Sequence, residues 1–232
     1  MINKWNMFYD AFVNKGGYQE VITGILNTIL IAFGALIIGI LLGTVIAACE
    51  VVSSKHPVMK ILKKLCQIYV AFFRGTPMVV QLLLGYFVAL PLLGISWNSV
   101  VVALIIMGLN SAAYTSEIMR SGILSVDPGQ MEAGRALGLN YSTTMISVIL
   151  PQAVKNILPT LGNELISLIK ETSVVSFIGV VDLYKAFRSI ASSNYEYMVP
   201  FLVMAVIYIV MILVITGLLR LMERGLRNSD KR

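Results

Sequence analysis

"MEAGRALGLNYSTTMISVILPQA" (Met131–Ala153) lies between two long apolar runs, and whether it crosses a bilayer with them decides the fold. It carries Glu132, Arg135, several small residues and Pro151. The portion 136–154 is uncharged but not apolar: Gly138, Asn140, Ser142, Thr143 and Thr144 precede one short apolar run before Pro151. A spanning helix needs about 20 mainly apolar residues. The stretch is therefore expected to stay outside the bilayer.

Around it the composition is that of a membrane protein. Of 232 residues 57% are hydrophobic and 13% charged, about half the usual charged share. The mean hydropathy is +0.83. The chain carries no charge from Val21 to Cys49, from Gly75 to Ser116, or from Met198 to Leu219. These runs lack period-two alternation, which argues against a sheet barrel. The expected fold is an all-α integral membrane protein with five transmembrane helices, at about 21–49, 66–90, 98–119, 156–181 and 197–220. The uncharged block 75–116 is too long for one span, and Pro91, Gly94 and Asn98 supply a break.

Lys and Arg set the orientation. Lys55, Lys60, Lys63 and Lys64 follow the first span, Arg120, Arg135 and Lys155 flank the opening stretch, and Arg220, Arg224, Arg227, Lys231 and Arg232 fill the tail. The other side holds Lys4, Lys15, Lys185 and Arg188, twelve against four. The N-terminal segment 1–20 is then outside, the body covers 21–225, and the tail 226–232 is cytoplasmic. That distribution explains the net charge of +6 without nucleic acid. Cys49 and Cys66 have no CxxC spacing and read as packing, with no metal site. No cleavable signal is expected at the N-terminus.

The cytoplasmic loop, about 125–145, contains a short and deliberately ended helix. Asp127 can cap its first turn, Pro128 suits the first helical position and Gln130 has capping-box spacing. Gly138 fits a left-handed stop. Ala133, Ala136 and Gly138 leave a slim surface that another protein could approach. A helix resting on the membrane surface would show the same pattern.

The order "SVDPGQMEAGRALGLN…ILPQA" resembles the EAA loop of binding-protein-dependent ABC importer permeases, here Glu132-Ala133-Gly134 with Gly138 and Leu150-Pro151. Gly134 departs from the family's alanine. "FFRGTPMVVQLLL", "NSAAYTSEIMRSGILSVDPGQ" and "LPTLGNELISLIKETSVVSFIG" resemble the polar amino acid branch, over roughly 20–225. The resemblance implies a coupling helix (Glu132, Ala133, Gly134, Gly138) that docks on a separate ATPase. It also implies two ATPase subunits, a second identical or related permease chain, an extracytoplasmic amino acid-binding protein and the bacterial cytoplasmic membrane. The chain has no G-x-x-x-x-G-K-[ST] loop, so ATP and Mg belong to the partner and no cofactor is expected here.

Polar groups inside spans mark the path or helix pairing. Gln81, Asn110 and Glu164 all fall roughly 10–15 Å from the cytoplasmic edge at about 1.5 Å per residue. Asn110, Tyr114 and Glu117 share one helix face, and can serve substrate or interhelical hydrogen bonds. Glu117 is expected to pair with Arg120. Glu164 has Lys170 about 240° around its helix, so it lacks an obvious partner on its own face. Its cation could be the substrate, or Lys170 of a second subunit, or it could be protonated. Branch members taking basic amino acids resemble this chain in the Asn163-Glu164 pair, which implies arginine, lysine or histidine as substrate. Lys170 to Ser173 are unusual for a span interior, and the helix is expected to break there. Ala35, Gly39, Gly43 and Ala47 form a ridge for helix packing.

An ATP-independent secondary transporter is the alternative reading, weakened by a single deep carboxylate and no evident repeat. An enzyme is not expected. The one histidine, His56, lies outside any span, and no nucleophile–base constellation stands out.

Overall fold

The computed structural model describes residues 2–52 and 56–229, the side chains at 2 and 224–229 excepted. Lys55, Lys231 and Arg232, and the side chains of Arg224 and Arg227, lie outside the described residues. In chain order the helices are α1 (Ile2–Tyr9), α2 (Gly17–Val51), α3 (Pro57–Gly75), α4 (Met78–Leu84), α5 (Leu90–Leu92), α6 (Ser99–Leu124), α7 (Gly129–Ala136), α8 (Tyr141–Thr144), α9 (Leu150–Glu171), α10 (Leu183–Asn194) and α11 (Met198–Ser229). Every described element is helical.

Three described helices are long and apolar enough to cross a membrane: Gly17–Val51, Ser99–Leu124 and Met198–Glu223. These match the first, third and fifth expected spans. The second, read as one helix over 66–90, is corrected. Pro57–Gly75 and Met78–Leu92 meet at 107°. The cause is local, because a residue before proline is pushed out of the helical region. Thr76, ahead of Pro77, is extended at φ −120°, ψ 146°. Gly75-Thr76-Pro77 was the available signal in the sequence.

The fourth expected span, 156–181, starts earlier and ends sooner as an α-helix. A π-helical turn, Met145–Ile149, joins α8 directly to α9. Proline inside a helix clashes with the carbonyl four residues back. For Pro151 that carbonyl belongs to Ser147, and for Pro91 to Phe87, and each lies within a π turn (Met145–Ile149 and Gly85–Ala89). The wider turn accommodates the ring, and α9 runs on past Pro151 to Glu171, whereas α5 ends at Leu92, one residue after Pro91, where the break was expected. The expected break at Lys170 to Ser173 is present as a change of type: α9 ends at Glu171 and a 3-10 segment runs Thr172–Ile178.

α2 and α6 pack along the small-residue ridge. Ala35, Gly39, Gly43 and Ala47 are buried. The Thr115 hydroxyl donates to the Gly39 carbonyl at 2.6 Å. A Cβ on Gly43 would run into Thr115 and stand 2.9 Å from the Ser116 nitrogen. Gly43→Val is thus expected to lower the melting temperature of the purified protein by about 5 °C or more. An unchanged melting temperature would mean that the two helices are not pressed together there.

The central core joins α2 (Ile31, Ala35), α4 (Leu82), α6 (Met107) and α9 (Leu165, Leu168) to Val175 and Ile178. A second cluster, Val126, Ile149, Ala153, Ile157 and Leu161, receives Met131 of α7. A third cluster gathers Phe8, Val21, Leu183, Phe187 and Val199. α10 was not anticipated. Its apolar residues at 183, 186, 187, 190 and 191 have helical spacing. Asp182 caps it, accepting from the Tyr184 and Lys185 nitrogens at 3.0 Å each.

Candidate functional site

The uncovered faces of the long helices differ in chemistry. On α2 the exposed large side chains include Ile22, Leu26, Leu30, Ile37 and Leu41, and on α11 Leu202, Val206, Ile209 and Leu213. Such faces suit lipid. On α9, Gln152, Asn156, Thr160, Asn163, Lys170 and Glu171 are exposed, with Glu164 half-buried beside them. These positions recur on one side of the helix. A polar stripe of this length is not stable against hydrocarbon, so it faces water or another chain.

Glu164 sits in that stripe and its Oε1 accepts from the Ser111 hydroxyl at 2.9 Å. Among the described residues no ion pair joins it. Asn163 is exposed next to it. Farther along the same helix pair, Asn156 Nδ2 donates to Ser125 Oγ at 2.8 Å.

Gln81 and Asn110 are brought together at the break between α3 and α4. Gln81 Nε2 donates to the Phe73 carbonyl (2.9 Å), the Thr76 carbonyl (3.0 Å) and Thr76 Oγ1 (2.7 Å). Asn110 Nδ2 donates to the Phe73 carbonyl (3.1 Å) and to Gln81 Oε1 (2.9 Å). A broken helix leaves carbonyls without partners, and these amides satisfy them. Both side chains are buried, and their N–H groups serve the bend.

Tyr114 is 38% exposed. The Arg74 guanidinium lies over its ring, 5.5 Å from the centroid. Glu117 pairs with Arg120 as expected, Nη2 to Oε2 at 3.0 Å. Two further members escaped sequence reading: Arg74 reaches Glu117 at 3.6 Å and Glu50 reaches Arg120 at 3.7 Å. Glu50, at the end of an apolar run, was a charge with no visible partner nearby in sequence.

α7 is fixed at both ends. Asp127 Oδ1 accepts from the Gly129 nitrogen at 2.7 Å. The Gln130 side chain does not complete a capping box: its Oε1 accepts from Gln152 Nε2 at 3.4 Å. Gly138 has φ +81°. The Gly138 nitrogen donates to Arg135 and the Leu139 nitrogen to Gly134, both at 3.0 Å, a paired closure that requires the left-handed residue. Glu132, Ala133 and Gly138 are exposed, whereas Gly134 is buried. A Cβ on Gly134 would stand 2.5 Å from Thr144 Cγ2. α8 lies too close to leave room for a side chain at this position.

Residues 39–228 match the family described as binding-protein-dependent transport system inner membrane component. Over 210 residues, 90% of this chain and 94% of the relative, the chain is 39% identical to the arginine transport system permease protein ArtQ of Bacillus subtilis. It is 37% identical over 206 residues, 89% of this chain and 92% of the relative, to a Rickettsia bellii protein provisionally named glutamine transport system permease protein GlnP. The crystal structure of an amino acid ABC transporter with histidines superposes at a TM-score of 0.83 and 41% identity, covering 92% of this chain and 98% of that one.

Proposed function

The chain belongs to the family of binding-protein-dependent transport system inner membrane components, and from that membership we propose that it forms the translocation path of an ATP-driven importer of basic amino acids. Its relatives are amino acid ABC transport permeases, so it is a polar amino acid permease and not the catalytic subunit of such a system. In the reading put forward here it has five spans, with α3–α5 as one bent span and α9 as the fourth. Its N-terminus is outside and it lies in a bacterial cytoplasmic membrane. Two permease chains would sit on two ATPases, which bind ATP and Mg, and an extracytoplasmic binding protein would deliver substrate. Glu132 and Ala133 on the exposed side of α7 would meet the ATPase, with Gly134 and Gly138 setting that helix's seat and end.

The observation that carries the substrate reading is Glu164. A half-buried carboxylate on a polar stripe, held by Ser111 and lacking an ion pair among the described residues, favours a mobile cation as its partner. Asn163 stands exposed for a further contact, Tyr114 carries the Arg74 guanidinium over its ring, and Gln81 and Asn110 would support the path by holding the bend. A second reading places only the α-amino group at Glu164, which would admit glutamine, the substrate in the name of the Rickettsia relative.

Reconstitution of the complete complex with its binding protein into proteoliposomes tests this. ATP-dependent uptake of labelled arginine, competed by lysine and not by glutamine, is expected. Glutamine uptake without arginine uptake would leave only the α-amino reading. Uptake that ignores ATP would overturn the importer.

A further inference from the structure

Arg74 stands in the last turn of α3, two residues ahead of Thr76 and the 107° bend. Its side chain is 44% exposed, so burial does not force its position. Its guanidinium nevertheless lies over the exposed Tyr114 ring, 5.5 Å from the centroid, and 3.6 Å from Glu117 Oε2. Tyr114 and Glu117 are three residues apart on α6 and therefore share a face. An aromatic face beside a carboxylate is the chemistry that holds a guanidinium or alkylammonium group: the ring attracts the cation and the carboxylate takes its N–H. Glu117 has a closer partner in Arg120, at 3.0 Å, but Arg120 also reaches Glu50 at 3.7 Å, so the two carboxylates call for a second cation and Arg74 supplies it.

We propose that Tyr114 and Glu117 form a second cation site, suited to the guanidinium or ammonium side chain of a basic amino acid, and that the chain keeps it filled with its own Arg74. This rests on the reading that basic amino acids use the path. Tethering gives Arg74 a high effective concentration, which a free amino acid must exceed to displace it. A basic amino acid reaching Tyr114 meets a like charge there and is not retained. Lysine would hold the site less well, because it lacks the planar group that stacks on the ring.

The test is equilibrium binding of labelled L-arginine, at up to millimolar concentrations, to the purified membrane complex without ATP. Arg74→Gln is expected to bind one further L-arginine per permease chain than the wild type. Adding Tyr114→Leu should weaken that extra binding at least about fivefold, the scale of a lost cation–π contact. Arg74→Lys keeps a charge at the bend and should show the extra binding at lower affinity, including where Arg74→Gln fails to fold. No extra binding in any folded Arg74 variant overturns the proposal, as does extra binding that survives Tyr114→Leu unchanged. The substrate reading fails separately, when wild-type proteoliposomes take up no arginine, because binding at Tyr114 is read without transport.

Discussion

Glu132→Arg is expected to lose the ATPase from the purified complex and to abolish ATP-driven uptake, while the permease itself stays folded. Glu132 is exposed on α7, so its replacement removes no buried contact. The helix that carries it is held independently, by the Asp127 cap, by Gly138, by Gly134 against Thr144 and by Met131 in the neighbouring cluster. The substitution thus changes the outward chemistry of α7 and little else. Truncating one member of a desolvated interfacial charge pair costs about 2–5 kcal/mol, and reversal adds repulsion. A loss of about thirtyfold or more in affinity follows, enough to empty the complex in a detergent pull-down. Mass spectrometry of the stoichiometric partners, with the melting temperature as control, provides the readout. An ATPase that stays at full stoichiometry with Glu132→Arg would remove the coupling role from this helix.

Glu164→Gln should raise the apparent KM for arginine uptake about thirtyfold or more, again on the scale of a lost buried charge pair. The replacement has the same shape, and its carbonyl can still accept from Ser111, so the contact between α6 and α9 survives. Only the charge is lost. Glu164→Asp keeps the charge on a shorter stem and should fall between the two. Full uptake of basic amino acids with unchanged KM in Glu164→Gln would sink the substrate role. The carboxylate would then serve a neighbouring chain.

Much of the architecture was legible from local pattern. Apolar runs place α2, α6 and α11, and the small-residue ridge marks the face of α2 that another helix approaches, because burial in lipid and close helix approach depend on residue type and spacing. The ends of α7 were equally legible: capping and a left-handed stop involve residues no more than a few positions apart. Glu117 with Arg120 belongs to the same class, being three residues apart.

Tertiary structure alone decided the rest. Gly75-Thr76-Pro77 permits a break. Its 107° angle is supported by Gln81 and by Asn110, 37 residues from the Phe73 carbonyl that it caps. Those two amides, candidates for substrate contact in the sequence, turned out to be bonded to the bend. Arg74 over Tyr114, Glu50 beside Arg120, and Thr28 receiving the Leu183 nitrogen from 155 residues away have no local signature. The physical reason is that a helix's rotation and bend fix which side chains of different helices meet. Both are set by packing along its whole length, whereas caps, stops and apolar runs are settled within a turn or two of chain.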